Sequence, residues 1–370
     1  MPWLTGAPEA PLKRFCIFGI CAASLVLAAC AAPPQVAQPV LAYPPPPEKP
    51  RYFFERTLFG SNDVTKDSAT DRLRRFATGE SARGRGFSKP FDVLAVDGRI
   101  FVSDTVSRHV AVLDFPRQRY YEIGTEARGR LAKPLGLAAD GNGHLYVVDG
   151  TAKRVQVYDL DGNHVSSIGT QDILQRPSGL AVNADGSRIY VVDTGGVASR
   201  DHSVKVFNAD GKLIQTIGVR GGAEGEFNLP KTAAIGPDGR LHVVDTGNFR
   251  VQIFSPEGKF LSTFGEAGRF SGQFSHPKGI AVDRTGNIFV ADAGFANFQI
   301  FDPEGRLLLF IGDRAERGGP GEYLLPAGIS VDSDGRIYLV DQFFRKVDVF
   351  RPAALPKGTP IGLPPRKPTS

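Results

Sequence analysis

Residues 242–254 read HVVDTGNFRVQIF, and the phrase returns along the chain with small changes of wording. IFVSD (100–104), LYVVD (145–149), IYVVD (189–193), LHVVD (241–245), IFVAD (288–292) and IYLVD (337–341) are six versions of its first half. Upstream of each stands a proline, at 90, 134, 177, 230, 277 and 326, followed by a short apolar stretch such as GLAVN (179–183) or GISVD (328–332). Downstream comes a third apolar run, as in RVQVYD (154–159) and VQIFS (251–255). A fourth closes five of the copies on glycine: YYEIG, VSSIG, IQTIG, LSTFG and LLFIG. Turns of the PDGR, SDGR, LDGN and PEGK kind separate the runs, where glycine supplies positive φ and Asp or Asn tolerates tight geometry. Several short strands in a unit of about 45 residues are the signature of a β-propeller.

After the sixth copy ends at Phe350 no closing fourth strand follows, whereas RYFFERTLFG (51–60) stands alone ahead of the first copy. The economical expectation is an all-β, six-bladed propeller with four-stranded blades. Its ring is closed by N-terminal strand 52–60 joining the C-terminal blade, which removes an exposed sheet edge. The composition agrees: 370 residues with 43 Gly and 28 Pro make a turn-rich globular chain. A net charge of +5 does not by itself argue for nucleic acid.

All three cysteines, Cys16, Cys21 and Cys30, lie at the N-terminus, so disulfides, thiolate catalysis and Cys-ligated zinc are excluded from the repeats. Lys13 and Arg14 precede the apolar run FCIFGICAASLVLAA (15–29), shorter than the roughly 20 residues of a spanning helix and arranged like a secretory signal. The run ends in LAAC (27–30), which resembles the lipobox of bacterial lipoproteins. That resemblance implies a signal peptide over 1–29 and lipidation of Cys30. With Ala31 rather than Asp next, it also implies an outer-membrane, periplasm-facing address. The proline-rich segment to residue 50 reads as an extended tether of about 60 Å, the propeller as 51–351, and 352–370 as a disordered tail.

The wording P-x-G-[IL]-A-V-D, then G-x-[IL]-[YF]-V-[AV]-D, then N-x-R-V-Q-[IV]-F resembles the NHL repeat, and six such units resemble NHL propellers. The loops after the six aspartates and the loops joining the blades share one end of the ring, here called the top. With one in every repeat, Asp104, Asp149, Asp193, Asp245, Asp292 and Asp341 are expected to cap loops through backbone N–H groups rather than hold metal. The NHL arginine column holds His109, Arg154, Ser203, Arg250, Asn297 and Lys346. Arg108, His109, Arg154, Arg200, His202, Arg250 and Lys346 are the expected binding residues of a basic top face. Lys133, Arg176, Lys231 and Lys278 add charge from the blade-joining loops. Two longer loops, 61–86 and 194–203, lie where specificity tends to sit. A face of that sign steers an acidic or anionic partner, an envelope protein or an anionic polymer. Nucleic acid is not expected in an exported protein.

Six-bladed propellers of this appearance include the peptidyl-hydroxyglycine amidating lyases, in which a histidine directly after the blade-opening proline binds catalytic zinc. Here that column holds Phe91, Leu135, Ser178, Lys231, Lys278 and Ala327, with no histidine. The resemblance therefore implies no metal or other cofactor at that position. No G-x-S-x-G elbow or phosphate-binding loop occurs. The expectation is a non-catalytic binding or scaffold propeller, a monomeric ring attached to the membrane by its lipid. Two alternatives remain open. One is a calcium- or zinc-dependent lyase or lactonase-like hydrolase with a channel site; the other is a structural part of a secretion or electron-transfer assembly.

Overall fold

In the computed structural model, residues 41–65, 77, 84–196 and 198–362 are described. The signal segment, Cys30 and the amphipathic stretch TDRLRRFA (70–77), apart from Ala77, lie outside the described residues. The repeats fold into six antiparallel sheets, each running outward from an innermost strand that begins at the blade-opening proline. Blade 1 contains Pro90–Val96, Arg99–Asp104, His109–Asp114 and Arg119–Ile123. Blades 2 to 5 repeat the pattern, their innermost strands being Pro134–Ala139, Pro177–Val182, Pro230–Ile235 and Pro277–Val282. Helix is almost absent among the described residues, where two 3-10 turns stand at Ser61–Asp63 and Thr246–Asn248.

Burial explains the wording of each strand. The second strands, such as Ile189–Asp193 and Ile288–Asp292, are buried on both faces between neighbouring blades, so they read as unbroken apolar runs. The outer strands show one face to water and alternate, as in Leu307–Ile311. Buried Phe227, Phe274 and Tyr323 plug the outer joints between blades. Gly265 shows why the fourth strand ends on glycine. Its φ is +87°, and a Cβ there would stand 2.3 Å from the Phe274 ring.

Blade 6 combines Pro326–Val331, Ile337–Asp341 and Lys346–Pro352 with the N-terminal strand Tyr52–Leu58, closing the ring as expected. The register pairs Tyr52 with Pro352 and Leu58 with Val347. The closing strand stops at Leu58, because the N–H groups of Phe59 and Gly60 turn to the Asp63 carboxylate at 2.6 and 2.8 Å. Thr57 donates to Asp348 at 2.7 Å near the top of this seam. Near its foot, wholly buried Arg336 donates to Glu55 at 2.9 Å, to Asp334 at 2.7 Å and to the Thr359 carbonyl.

Two expected boundaries are corrected. The tether does not extend to residue 50, because Ala42–Tyr43 pairs with Tyr52–Phe53 as a fifth strand of blade 6. The Tyr43 ring meets Phe350 edge-on at 5.7 Å, so covering apolar surface outweighs the proline content of this segment. The tail likewise stays on the propeller as far as Gly362, with Ile361 buried among Leu113, Ala95 and Ile100.

Removing Arg336 leaves Glu55 with only the 3.8 Å contact to exposed Arg56 and frees the tail. Arg336→Ala should therefore lower the unfolding free energy by about 3–5 kcal/mol, read by urea denaturation; a loss below 1 kcal/mol would show that the clasp does not hold the seam.

Candidate functional site: the top face and the channel neck

The six top aspartates behave as loop ties. Asp341 accepts N–H groups of Leu324 and Leu325 from the incoming loop, and of Phe343 and Phe344 from the loop after its own strand, at 2.8–2.9 Å. Asp292 does the same for Ser275, His276, Gly294 and Phe295. Asp104 and Asp149 each take four backbone donors, and Asp193 takes three. Asp245 takes the Asn228 N–H together with Asn248, Arg250 and Gln252 side chains. All six are buried. A carboxylate so occupied does not ligate a metal, and of the six Asp245 also pairs directly with a base, Arg250 at 2.9 Å.

The structure divides the expected binding residues. Arg108, Arg154 and Arg200 are exposed on the top. His109 is half-buried beside Glu122, with Nδ1 3.8 Å from the carboxylate. His202, Arg250 and Lys346 are corrected to structural roles. His202 is wholly buried; its Nδ1 accepts the Leu229 N–H at 3.1 Å, and Nε2 faces the Gly196 carbonyl at 3.2 Å. The Arg250 guanidinium is held by Asp245 at 2.9 Å and by the carbonyls of Ala223 and Glu226. Lys346 lies buried against Asp348 at 2.7 Å and the Gly319 carbonyl at 2.6 Å. The cause is loop length. The loops 219–229 and 313–325, which lead into blades 4 and 6, fold over the third strand and present carbonyls to this column. The shorter loop 125–133, leading into blade 2, leaves Arg154 exposed, its Nε donating at 3.4 Å to the Ala152 carbonyl of its own turn.

The channel is the second feature. Innermost strands of all six blades line a cavity of about 410 Å³, within the range of small-ligand sites. The strands nearly touch at the position two after each opening proline: Asp92, Gly136, Gly179, Thr232, Gly279 and Gly328. A Cβ on Gly136 would lie 2.7 Å from the Gly179 Cα, and one on Gly279 only 2.1 Å from the Ala327 carbonyl oxygen. This waist is narrow because blade edges crowd the axis. One position nearer the top lie Phe91, Ser178, Lys231, Lys278 and Ala327, all at the cavity. The Lys231 amine sits 5.9 Å above the Phe91 ring. Burial, with Arg176 and Lys133 of like charge, pushes the Lys231 amine down. Burial and then Lys231 push Lys278 down to about 8.

Asp92 is the site residue that sequence reasoning passed over. It is half-buried, its carboxylate accepts the N–H groups of Val93 and Leu137 at 2.9 Å, and desolvation raises its pKa to about 7. The available signal was a carboxylate in a column otherwise reserved for small residues.

A metal centre does not fit here. The neck offers two ammonium groups, which repel a divalent ion, and among the described residues no three His, Cys, Asp or Glu side chains group to hold one.

Residues 131–158 match the NHL repeat family. No curated protein matches the chain in sequence. Among solved structures, a Bacteroides thetaiotaomicron protein of unknown function is similar over 80% of this chain and 75% of its own, at 15% identity and a TM-score of 0.59. A gluconolactonase from Xanthomonas campestris aligns over 72% of this chain and 86% of its own, at 19% identity and a TM-score of 0.55. A catalytically inactive virginiamycin B lyase from Staphylococcus aureus, solved with quinupristin, covers 73% of this chain and 83% of its own, at 14% identity and a TM-score of 0.52. At these identities the likeness is one of fold.

The shifted groups give two expectations. Because the folded pKa of Asp92 is raised, the stability its carboxyl contributes is present below about pH 4 and lost as pH rises through about 7. Asp92→Asn should therefore gain on the wild type in urea denaturation as pH climbs across that window; a pH-independent difference would contradict the assignment. Lys278→Met removes a cation that burial disfavours, and should raise Tm in thermal unfolding rather than lower it.

Proposed function

We propose that the chain is a non-catalytic binding propeller of the bacterial envelope, held to the outer membrane through lipid on Cys30, and that its top face captures an acidic protein partner. One observation carries this reading. The top-face aspartates are engaged by backbone amides and structural side chains, while Arg108, Arg154, Arg200, Lys133 and Arg176 remain exposed around the same face. The resulting surplus of positive charge speeds encounter with an acidic surface and selects against basic ones. The match of residues 131–158 to the NHL repeat supports a repeat scaffold, and the two lysines in place of channel histidines favour binding over metal-assisted lysis.

Arg108→Glu, Arg154→Glu and Arg200→Glu combined should abolish capture of the partner from solubilised envelopes while leaving Tm within about 2 °C, since exposed substitutions change stability little. Undiminished capture would refute the basic-face reading. Cys30→Ser should move the protein from the membrane pellet to the soluble fraction; retention in the pellet would refute the anchor.

A further inference from the structure

Lys231 and Lys278, half-buried at the channel neck, differ from the buried lysines of this chain. Lys346 has Asp348 at 2.7 Å, and Lys205 has Asp201 at 2.8 Å. Where an ammonium serves the fold, this chain supplies its carboxylate, as the cost of burying an unpaired charge requires. At the channel neck it does not. Among the described residues neither amine donates a hydrogen bond or forms an ion pair, and the Phe91 ring 5.9 Å away is the contact that Lys231 makes. The acids nearest Lys278, Asp341 and Asp292, already accept four backbone N–H groups each. The other charged groups felt there are cations: Arg176 and Lys133 beside Lys231, and Lys89 beside Lys278. Two half-buried ammonium groups thus share the mouth of one cavity with no carboxylate in ion-pair contact, and Asp341 and Asp292 act on Lys278 only from a distance.

We infer that Lys231 and Lys278 form a binding site for a single small oxyanion, a carboxylate or phosphate, that enters the channel neck from the top. An oxyanion between two amines makes charge-assisted hydrogen bonds, the strong class, and relieves their mutual repulsion. Asp92, across the ring on blade 1, has its pKa raised to about 7 by burial, so the negative charge it sets against an anion falls as pH drops below that value. The cavity of about 410 Å³ leaves room for a body attached to the anionic head. The head can belong to a free small molecule or to the end of a larger chain; its chemistry is the same in both cases.

Inorganic phosphate and acetate, titrated calorimetrically into the full-length protein at pH 7 and low salt, should each bind saturably. Lys231→Gln and Lys278→Gln should each weaken both ligands at least tenfold, with folding verified by circular dichroism. Arg154→Glu should change them less than twofold. Acetate stays ionised between pH 7 and 9, so its affinity should fall over that range as Lys278 loses its proton. Polyglutamate added to the phosphate complex separates the two sources. Displacement identifies a head carried on a chain, whereas simultaneous binding identifies a free small oxyanion. Absence of binding by both probes at millimolar concentration, or binding unchanged in both lysine variants, overturns the inference. The arginine reversals on the top rim test a different surface, so their failure would leave this site standing.

Discussion

Pairing of Tyr52–Leu58 with Lys346–Pro352 is the constraint on which the rest of the molecule depends. Each blade is a sheet whose apolar faces are covered by its two neighbours, so one missing strand in a row of six would expose both a core and an edge. The closing strand removes that exposure, and the chain reinforces it at both ends of the seam. Thr57 and Lys346 meet on Asp348 near the top, while Arg336 ties Glu55 to the C-terminal segment near the bottom. With the ring closed, six innermost strands converge on one axis, and the neck residues face one another only because of that convergence.

The top face shows how one residue type is used twice. Buried aspartates organise loops by accepting backbone N–H groups, a role that water would otherwise fill. Nearby bases are tied down where a carboxylate pairs with them and a loop folds over to add carbonyls. Arg250 and Lys346 are covered in this way; Arg154 is not. The charge available to a partner is therefore set by the lengths of the blade-joining loops as much as by the number of arginines.

Much of this was legible before any coordinates. The period, the six aspartates and the orphan strand before the first repeat fix the number of blades and the closure, because each reflects backbone geometry that recurs in every unit. The aspartates read correctly as caps for the same reason. Site residues fared less evenly. His202 and Lys346 sit in columns that look solvent-facing, but their environment comes from a loop distant in sequence: Lys346 meets Gly319 and His202 meets Leu229. Proline content misled at Tyr43 and Ile361, where a single apolar side chain with a place to pack outweighs its neighbours. Asp92 announced itself only as a carboxylate in a column of glycines and one threonine, and nothing local to the sequence reveals that this column lies where neighbouring innermost strands pack closely.

The closing strand also sets an order of events. Thr57 and Asp348 are separated by 291 positions, so a strand made before any of the repeats has its partner in the sixth. Contacts of such separation form late and slowly. Five blades can assemble from local hairpins while the leading segment waits unpaired, and the ring locks only after nearly all of the polypeptide is present. A chain built this way stays open until its C-terminal blade has formed, and becomes rigid only when that blade takes up the early strand.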